Sequence, residues 1–312
     1  MTSGVVVVDK PAGRTSHETV TEVRKALGVS KAGHTGTLDP LATGVLPVCL
    51  NEATKLVQFF SADWKEYRAT LLLGVETDTL DTEGKVTARF EPKVGEADIA
   101  EVLKGFVGRV VQTPPLISAV KIHGRPLYAW TRRGVAVEPE PRIVEIASLE
   151  IERFDLPRVT FRVRCSKGTY VRSLCADAGR LLGCGGCLAE LRRTRSGNFD
   201  EAKALSLKTV GEVGRQGGWG GAVISMVDAL PDLARIQVSP EDEKRARDGR
   251  HPSAGMIGRY HPPFLAAGDV VMFLTLDKRL IAIGKMLAST EEALSMDENR
   301  QVVEILRVFN EN

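Results

Sequence analysis

Residues Gly33 to Gly44 read GHTGTLDPLATG, which places three glycines, three threonines, one histidine and one aspartate within twelve residues. Glycines let backbone approach a ligand closely, hydroxyls anchor a loop, and Pro40 restricts Asp39 to an extended backbone. A carboxylate held this rigidly suits nucleophilic or charge-stabilising chemistry. The same composition also suits an Asx turn that serves structure alone, and the loop by itself leaves both readings open.

Other chemistries find no complete signature. No Gly-x-x-x-x-Gly-Lys-Ser/Thr occurs, so the phosphate-binding loop of nucleotide hydrolases is missing from the sequence. His17-Glu18 begins like a zinc-protease helix, but position 21 is Thr; GVSKAG, residues 28–33, has the wrong spacing for a nucleophile elbow. Asp78, Asp81 and Glu83 do not follow calcium-loop spacing and read as a turn closed by its own side chains. The five cysteines, Cys49, Cys165, Cys175, Cys184 and Cys187, are an odd and unpatterned set without a secretion signal, which points to reduced thiols in a cytoplasm. Cys184-Gly-Gly-Cys187 lacks the second pair that a zinc site needs. No zinc site is implied.

The elements that must position the loop follow from periodicity. The run Val5 to Val8 reads as a buried strand, too short and too soon followed by Asp9, Lys10 and Pro11 for a signal peptide or membrane span. Ser16 is placed to cap a helix bearing Val20, Val23 and Leu27, closed by Gly28. After the loop come a strand over 45–50, a helix over about 52–60 and a strand over 67–73. Ile99, Val102, Leu103 and Phe106 mark a further helix, residues 143–151 and 159–163 two strands, 170–182 a helix, and 192–199 extended chain. Residues 118–142 hold Pro, Gly and basic side chains without a sustained apolar period and form a long excursion from the core. Residues 211–221 (GEVGRQGGWGG) read as a flexible stretch. Beyond Pro231, strand-like runs at 270–273, 280–283 and 302–308 are broken by Gly255, Gly258 and Gly268. The chain of 312 residues thus reads as an α+β catalytic body over 1–231, on a mixed or antiparallel sheet with helices, followed by a small β-rich domain over 232–312.

Charge points to a polyanion only locally. With 42 basic against 40 acidic residues the chain is nearly neutral, but nine Lys/Arg and only Asp177 and Glu190 lie between Arg158 and Arg195. Lys121, Arg125, Arg132 and Arg133 add a second basic patch in the excursion.

Five segments in order, VVVVDKPAGRTSH from Val5, AGHTGTLDPLATGVLPVCLNEATK from Ala32, KEYRATLLLGVETDTLDTEG from Lys65, CSKGTYVRSL from Cys165 and LRRTRSGNF from Leu191, resemble the motifs of the TruB family of tRNA pseudouridine synthases. They span about the first two-thirds of the chain. The last third resembles the family's PUA-like RNA-binding domain loosely. The resemblance implies isomerisation of uridine to pseudouridine at position 55 in the T-loop of tRNA: a C–N bond breaks, the uracil rotates and a C–C bond forms, with no redox change and no cofactor. It assigns the nucleophile to Asp39, a cationic partner to Arg172 and a pocket tyrosine to Tyr170. Tyr67 takes the position of a ring stacked on the uracil, Leu191 that of an apolar wall, and His34 that of the residue holding the RNA loop in its flipped form. The excursion over 118–142 resembles the family's RNA-gripping insertion, with Lys121, Arg125, Arg132 and Arg133 on the RNA backbone. The implied partner is the tRNA T-arm, with no membrane and no obligate protein partner. Two alternatives stay open: a tRNA-binding or folding chaperone without turnover, and a guide-RNA-dependent relative, which the lack of an extension before the first strand disfavours.

Overall fold

The computed structural model describes residues 3–60, 64–122, 124–131, 133–135, 137–217, 219 and 221–310, with backbone only at 128 and 131. The body is built on β1 (Gly4–Lys10), α1 (Ser16–Ala26), β2 (Ala32–His34), β3 (Thr43–Leu50), β4 (Lys65–Leu73), α2 (Glu96–Lys104), β5 (Gly108–Gln112), β6 (Arg142–Asp155), β7 (Arg158–Cys165), α3 (Val171–Leu181), β8 (Gly186–Ser196) and α4 (Leu207–Gln216). These strands form a sheet in the order β1–β3–β8–β4–β7–β6–β5, with β2 paired to β3. The sheet is mixed because β8 runs parallel to β3 through Arg192↔Thr43 and Arg193↔Gly44, while the other named pairs are antiparallel. Gly44 makes that contact feasible: its φ is +95°, and a Cβ there would lie 2.3 Å from the Arg193 carbonyl oxygen.

One core cluster packs the apolar faces of α1 and α3 (Val20, Val23, Leu174, Ala178) on sheet residues such as Leu46, Leu71, Phe161 and Val163. A second sheet, β9 (Ala234–Gln237), β10 (Val270–Leu274), β11 (Leu280–Met286) and β12 (Val303–Val308), lies in the last third. It shares a core with the body, since Val5, Val7 and Val45 cluster with Met272, Leu274, Ile283 and Phe309.

Several sequence expectations change. The N-cap of α1 is Thr15, not Ser16, in a capping box with Glu18; the Ser16 hydroxyl instead receives the Leu38 N–H at 2.8 Å and donates to the Leu38 carbonyl at 3.0 Å. The loop around Asp39 is shorter than Gly33 to Gly44, because residues 32–34 pair with β3 and β3 itself begins at Thr43. The helix expected over 52–60 is a 3₁₀ helix, Asn51–Leu56, followed by one α-turn, Val57–Phe60. The stretch expected to be flexible from Gly211 holds most of α4, where Gly214 packs so closely on α1 that a Cβ would lie 1.9 Å from the Ala26 carbonyl oxygen. Gly255 and Gly258 break no strand; they sit in a helix, Ala254–Tyr260, where added Cβ atoms would meet Glu298 and Leu294. Glycine chosen for close packing has the same sequence signature as glycine chosen for flexibility.

Candidate active site

The Asp39 loop is fastened from three sides. Gly13 N–H donates to the Pro40 carbonyl at 2.9 Å, and the Ala42 N–H closes back on the Asp39 carbonyl at 3.0 Å. Lys10, fully buried at the end of β1, donates its Nζ to the carbonyls of Ala42 (2.6 Å), Pro11 (3.0 Å) and Pro40 (3.2 Å). Burial pulls its ammonium down to about 8, against the opposing pull of the Asp39 carboxylate. Arg193, also buried, donates from Nε to the Val45 carbonyl (2.7 Å) and from Nη2 to that of Gly36 (3.1 Å).

Arg172 reaches the carboxylate from the first turn of α3. Its Nε lies 2.9 Å from Asp39 Oδ2 and its Nη2 donates to Oδ1 at 3.1 Å. The guanidinium is 3% exposed against 33% for the Asp39 side chain, so the cation forms the floor and the carboxylate faces the opening. Arg172 is itself held by the carbonyls of Thr79 (Nη1, 2.9 Å) and Ile117 (Nη2, 2.9 Å) and by Asp81 Oδ2, 3.8 Å from Nε. Burial raises the Asp39 carboxyl and Asp81 adds to the rise, while Arg172 and Lys10 draw it back.

Asp39, Tyr67, Tyr170, Arg172 and Leu191, far apart in sequence, line one cleft of about 330 Å³. Tyr67 stands on β4 opposite Arg193 of β8 and Val163 of β7; burial raises its phenol, and the Arg193 charge draws it back. Leu191 belongs equally to the core. His34 precedes the lining residues 35–39 and is not among them; its buried Nδ1 has no hydrogen-bond partner among the described residues, and burial lowers its imidazole. Ala119 and Val120 bring the start of the excursion to the cleft. Lys121 and Arg125, in the hairpin strands Lys121–Ile122 and Arg125–Pro126, are exposed, as is Arg133; Arg132 lies outside the described residues.

The basic run from Arg158 to Arg195 does not form one footprint. Lys167, Arg172 and Arg193 line the cleft. Arg158, Arg162, Arg180, Arg192 and Arg195 pair with Glu190, with Glu66 and Glu152, with Asp177, with Asp9 and Glu201, and with Asp200, while Arg164 lies over the Trp64 ring. Among those on β8, alternation puts Arg192 and Arg193 on opposite faces, and a β-bulge between Arg193 and Arg195 turns Arg195 away from the cleft.

Sequence reasoning missed Lys10, Asp81, Lys65 and Arg142. The last two line the cleft. Asp81 does close the expected turn, its Oδ1 accepting from Thr79 Oγ1 (2.6 Å) and Glu83 N–H (3.1 Å), but its Oδ2 faces Arg172. The signal was present in the motif resemblance, where both Lys10 and Asp81 fall inside matched segments.

An arginine-held carboxylate, two tyrosines and a cationic lining thus meet in one open cleft. The sequence profile of the TruB family pseudouridylate synthase N-terminal domain matches residues 24–171, and that of the tRNA pseudouridylate synthase B C-terminal domain matches residues 172–216. A tRNA pseudouridine synthase B from Syntrophus aciditrophicus is 50% identical over 308 residues, covering 99% of both chains, and one from Geobacter sulfurreducens is 40% identical over 312 residues, covering 98% and 99%. In a solved Cbf5-Nop10-Gar1 complex, one chain superposes with a TM-score of 0.75 at 31% identity, over 98% of this chain and 85% of that one. The chain belongs to the TruB family of pseudouridine synthases.

Proposed function

We propose that this chain converts uridine to pseudouridine at position 55 in the T-loop of tRNA, with Asp39 as nucleophile on a flipped-out base and without a guide RNA. The observation that carries the reading is the Asp39–Arg172 pair at the floor of the cleft. The reaction is balanced within the substrate: the N1–C1′ bond breaks, C5–C1′ forms, C5 loses a proton and N1 gains one. An ionised carboxylate therefore suffices, and Arg172 keeps Asp39 ionised against its desolvation. Tyr67 and Tyr170 supply stacking and polar contacts that offset unstacking of the uridine, a cost of a few kcal/mol. Leu191 is the apolar wall, and His34, at the rim of the loop, supports the flipped RNA conformation. Lys121, Arg125, Arg132 and Arg133 of the excursion and residues 232–312 take the RNA backbone and the flanking tRNA. A tRNA substrate and five free buried thiols support a cytoplasmic setting.

A second reading has one observation in its favour. A solved H/ACA RNP bound to a substrate RNA matches this fold with a TM-score of 0.75 at 29% identity. The higher identity to tRNA pseudouridine synthases B, over nearly the whole chain, favours action on tRNA without a protein partner. Purified protein incubated with an unmodified tRNA transcript, followed by chemical labelling of pseudouridine, separates the two. Product at position 55 alone is expected; no product until a guide RNA or protein is added would overturn the reading.

A further inference from the structure

Both ends of the excursion are tied to the start of α3, which carries Tyr170 and Arg172. β5 ends at Gln112, six residues before it, and β6 begins at Arg142, its last residue, and the two are cross-strand partners. Gln112 is 2% exposed, although it closes an edge strand. Its amide makes a reciprocal pair with one residue: Tyr170 N–H donates to Oε1 at 2.7 Å, and Nε2 donates to the Tyr170 carbonyl at 3.0 Å. The pair fixes which end of the amide is nitrogen, since the flipped amide would oppose donor to donor and acceptor to acceptor. Tyr170 is the N-cap of α3, extended at φ −106° and ψ 111°, and its own side chain makes no cap hydrogen bond. Its carbonyl also accepts the Leu174 N–H, the first bond of the helix, at 3.1 Å, so Gln112 and the helix hold this backbone together, and Gln112 alone receives its N–H.

Further bonds reinforce the same junction. Ser173 Oγ donates to the Thr113 carbonyl at 2.9 Å, and Arg172 Nη2 to that of Ile117 at 2.9 Å. Arg142 donates to the Gly168 carbonyl at 2.6 Å, and its guanidinium carbon lies 5.0 Å from the Tyr170 ring centroid. The ring is thus bracketed, with backbone held on one side by Gln112 and its face covered by Arg142.

We propose that Gln112 is a positioning residue for pseudouridine formation, holding the Tyr170 backbone so that the Tyr170 ring and Arg172 meet the flipped uridine in register with the excursion that grips the RNA. The proposal rests on the function proposed above. Gln112 touches no substrate; it acts through Tyr170.

Two variants test it on the full chain. Gln112→Met keeps the volume and removes both hydrogen bonds; its single-turnover rate on tRNA is expected to fall ~100-fold, as for a misplaced reacting geometry, with tRNA Kd unchanged and only a small fall in melting temperature from the Tyr170 N–H it strands. Gln112→Glu keeps an acceptor for Tyr170 N–H, but when ionised it opposes the Tyr170 carbonyl. When neutral it repeats the amide pattern, with O–H donating and C=O accepting. Its rate relative to wild type is therefore expected to rise as pH falls, a change that a merely structural glutamine would not produce. Gln112→Glu decides the matter where Gln112→Met lowers the melting temperature. A wild-type rate in Gln112→Met, or a Gln112→Glu profile parallel to wild type, overturns the inference while wild-type turnover stands. No product from wild type on the same tRNA would instead overturn the proposed function.

Discussion

Arg192 and Arg193 are adjacent on β8, yet they belong to opposite faces of the sheet and do different work. Arg192 grips Asp9 with both terminal nitrogens (2.9 and 3.2 Å) and Glu201 with Nε (2.5 Å), in partial solvent. Arg193, 1% exposed, spends its donors on the backbone carbonyls of the Asp39 loop and the strand after it. The contrast extends across the sheet. On the far face Arg68 and Arg162 stand opposite each other and share Glu152 between them, so positive charge is neutralised in place. On the cleft face Lys65, Arg142, Lys167 and Arg193 line the cleft together with one carboxylate, Asp39, already paired with Arg172. Of the nine basic residues in the Arg158–Arg195 run three line the cleft and six are engaged elsewhere, a division that depends on the strand register, its bulge and the helix rather than on the sequence run.

The largest expected difference between the faces is in Arg172. Arg172→Met strands Asp39 and Asp81 without their shared cation and should destabilise the fold by ~3–5 kcal/mol in urea unfolding, with loss of turnover. A loss no greater than that of a far-face pair would erase the contrast. Lys10→Met deprives three loop carbonyls of their donor and should lower stability by ~1–3 kcal/mol along with the rate. Because the folded Lys10 ammonium sits near 8 against an ordinary 10.5, the unfolded chain binds the extra proton between those values. Wild-type stability relative to Lys10→Met should therefore climb as pH rises through that window. Turnover has the opposite limit: the Asp39 carboxyl is raised by burial and must be ionised, so the rate should fall with acid around a midpoint above the ordinary carboxyl value of 3.8. A midpoint at or below that value would contradict the desolvated site.

Smaller effects sharpen the boundary between the faces. Lys167→Ala, at an exposed position lining the cleft, should weaken tRNA binding and reduce the slope of log K against log salt by about 1, read by filter binding across a salt series. Arg162→Ala on the far face should leave that slope alone and change stability by only ~0–1 kcal/mol. Equal salt slopes for the two variants would mean that both faces contact RNA.

Much of this site was legible in the sequence because its motifs keep chemistry and positioning together. The GHTGTLDPLATG loop pointed to a rigid carboxylate, and the structure brings Tyr67, Tyr170, Arg172 and Leu191 to it. His34 reaches only the flank, since residues 32–34 are taken up in pairing with β3. What composition concealed was dual use. Asp81 closes a turn with one oxygen and faces Arg172 with the other, and no local pattern distinguishes the two roles. Glycines misled for a related reason: Gly214, Gly255 and Gly258 permit helices to pack, an effect of partners remote in sequence. The charge of the Arg158–Arg195 run required the sheet register to interpret.

The central claim is that Asp39 does chemistry rather than hold structure, and Asp39→Asn tests it most directly. With protein in single-turnover excess over tRNA, the variant should form no pseudouridine and bind tRNA with unchanged Kd. Its melting temperature, read alongside, separates a chemical loss from a structural one, since the amide leaves the buried Arg172 facing Asp81 at 3.8 Å. Pseudouridine formed at the wild-type rate by Asp39→Asn would contradict the account.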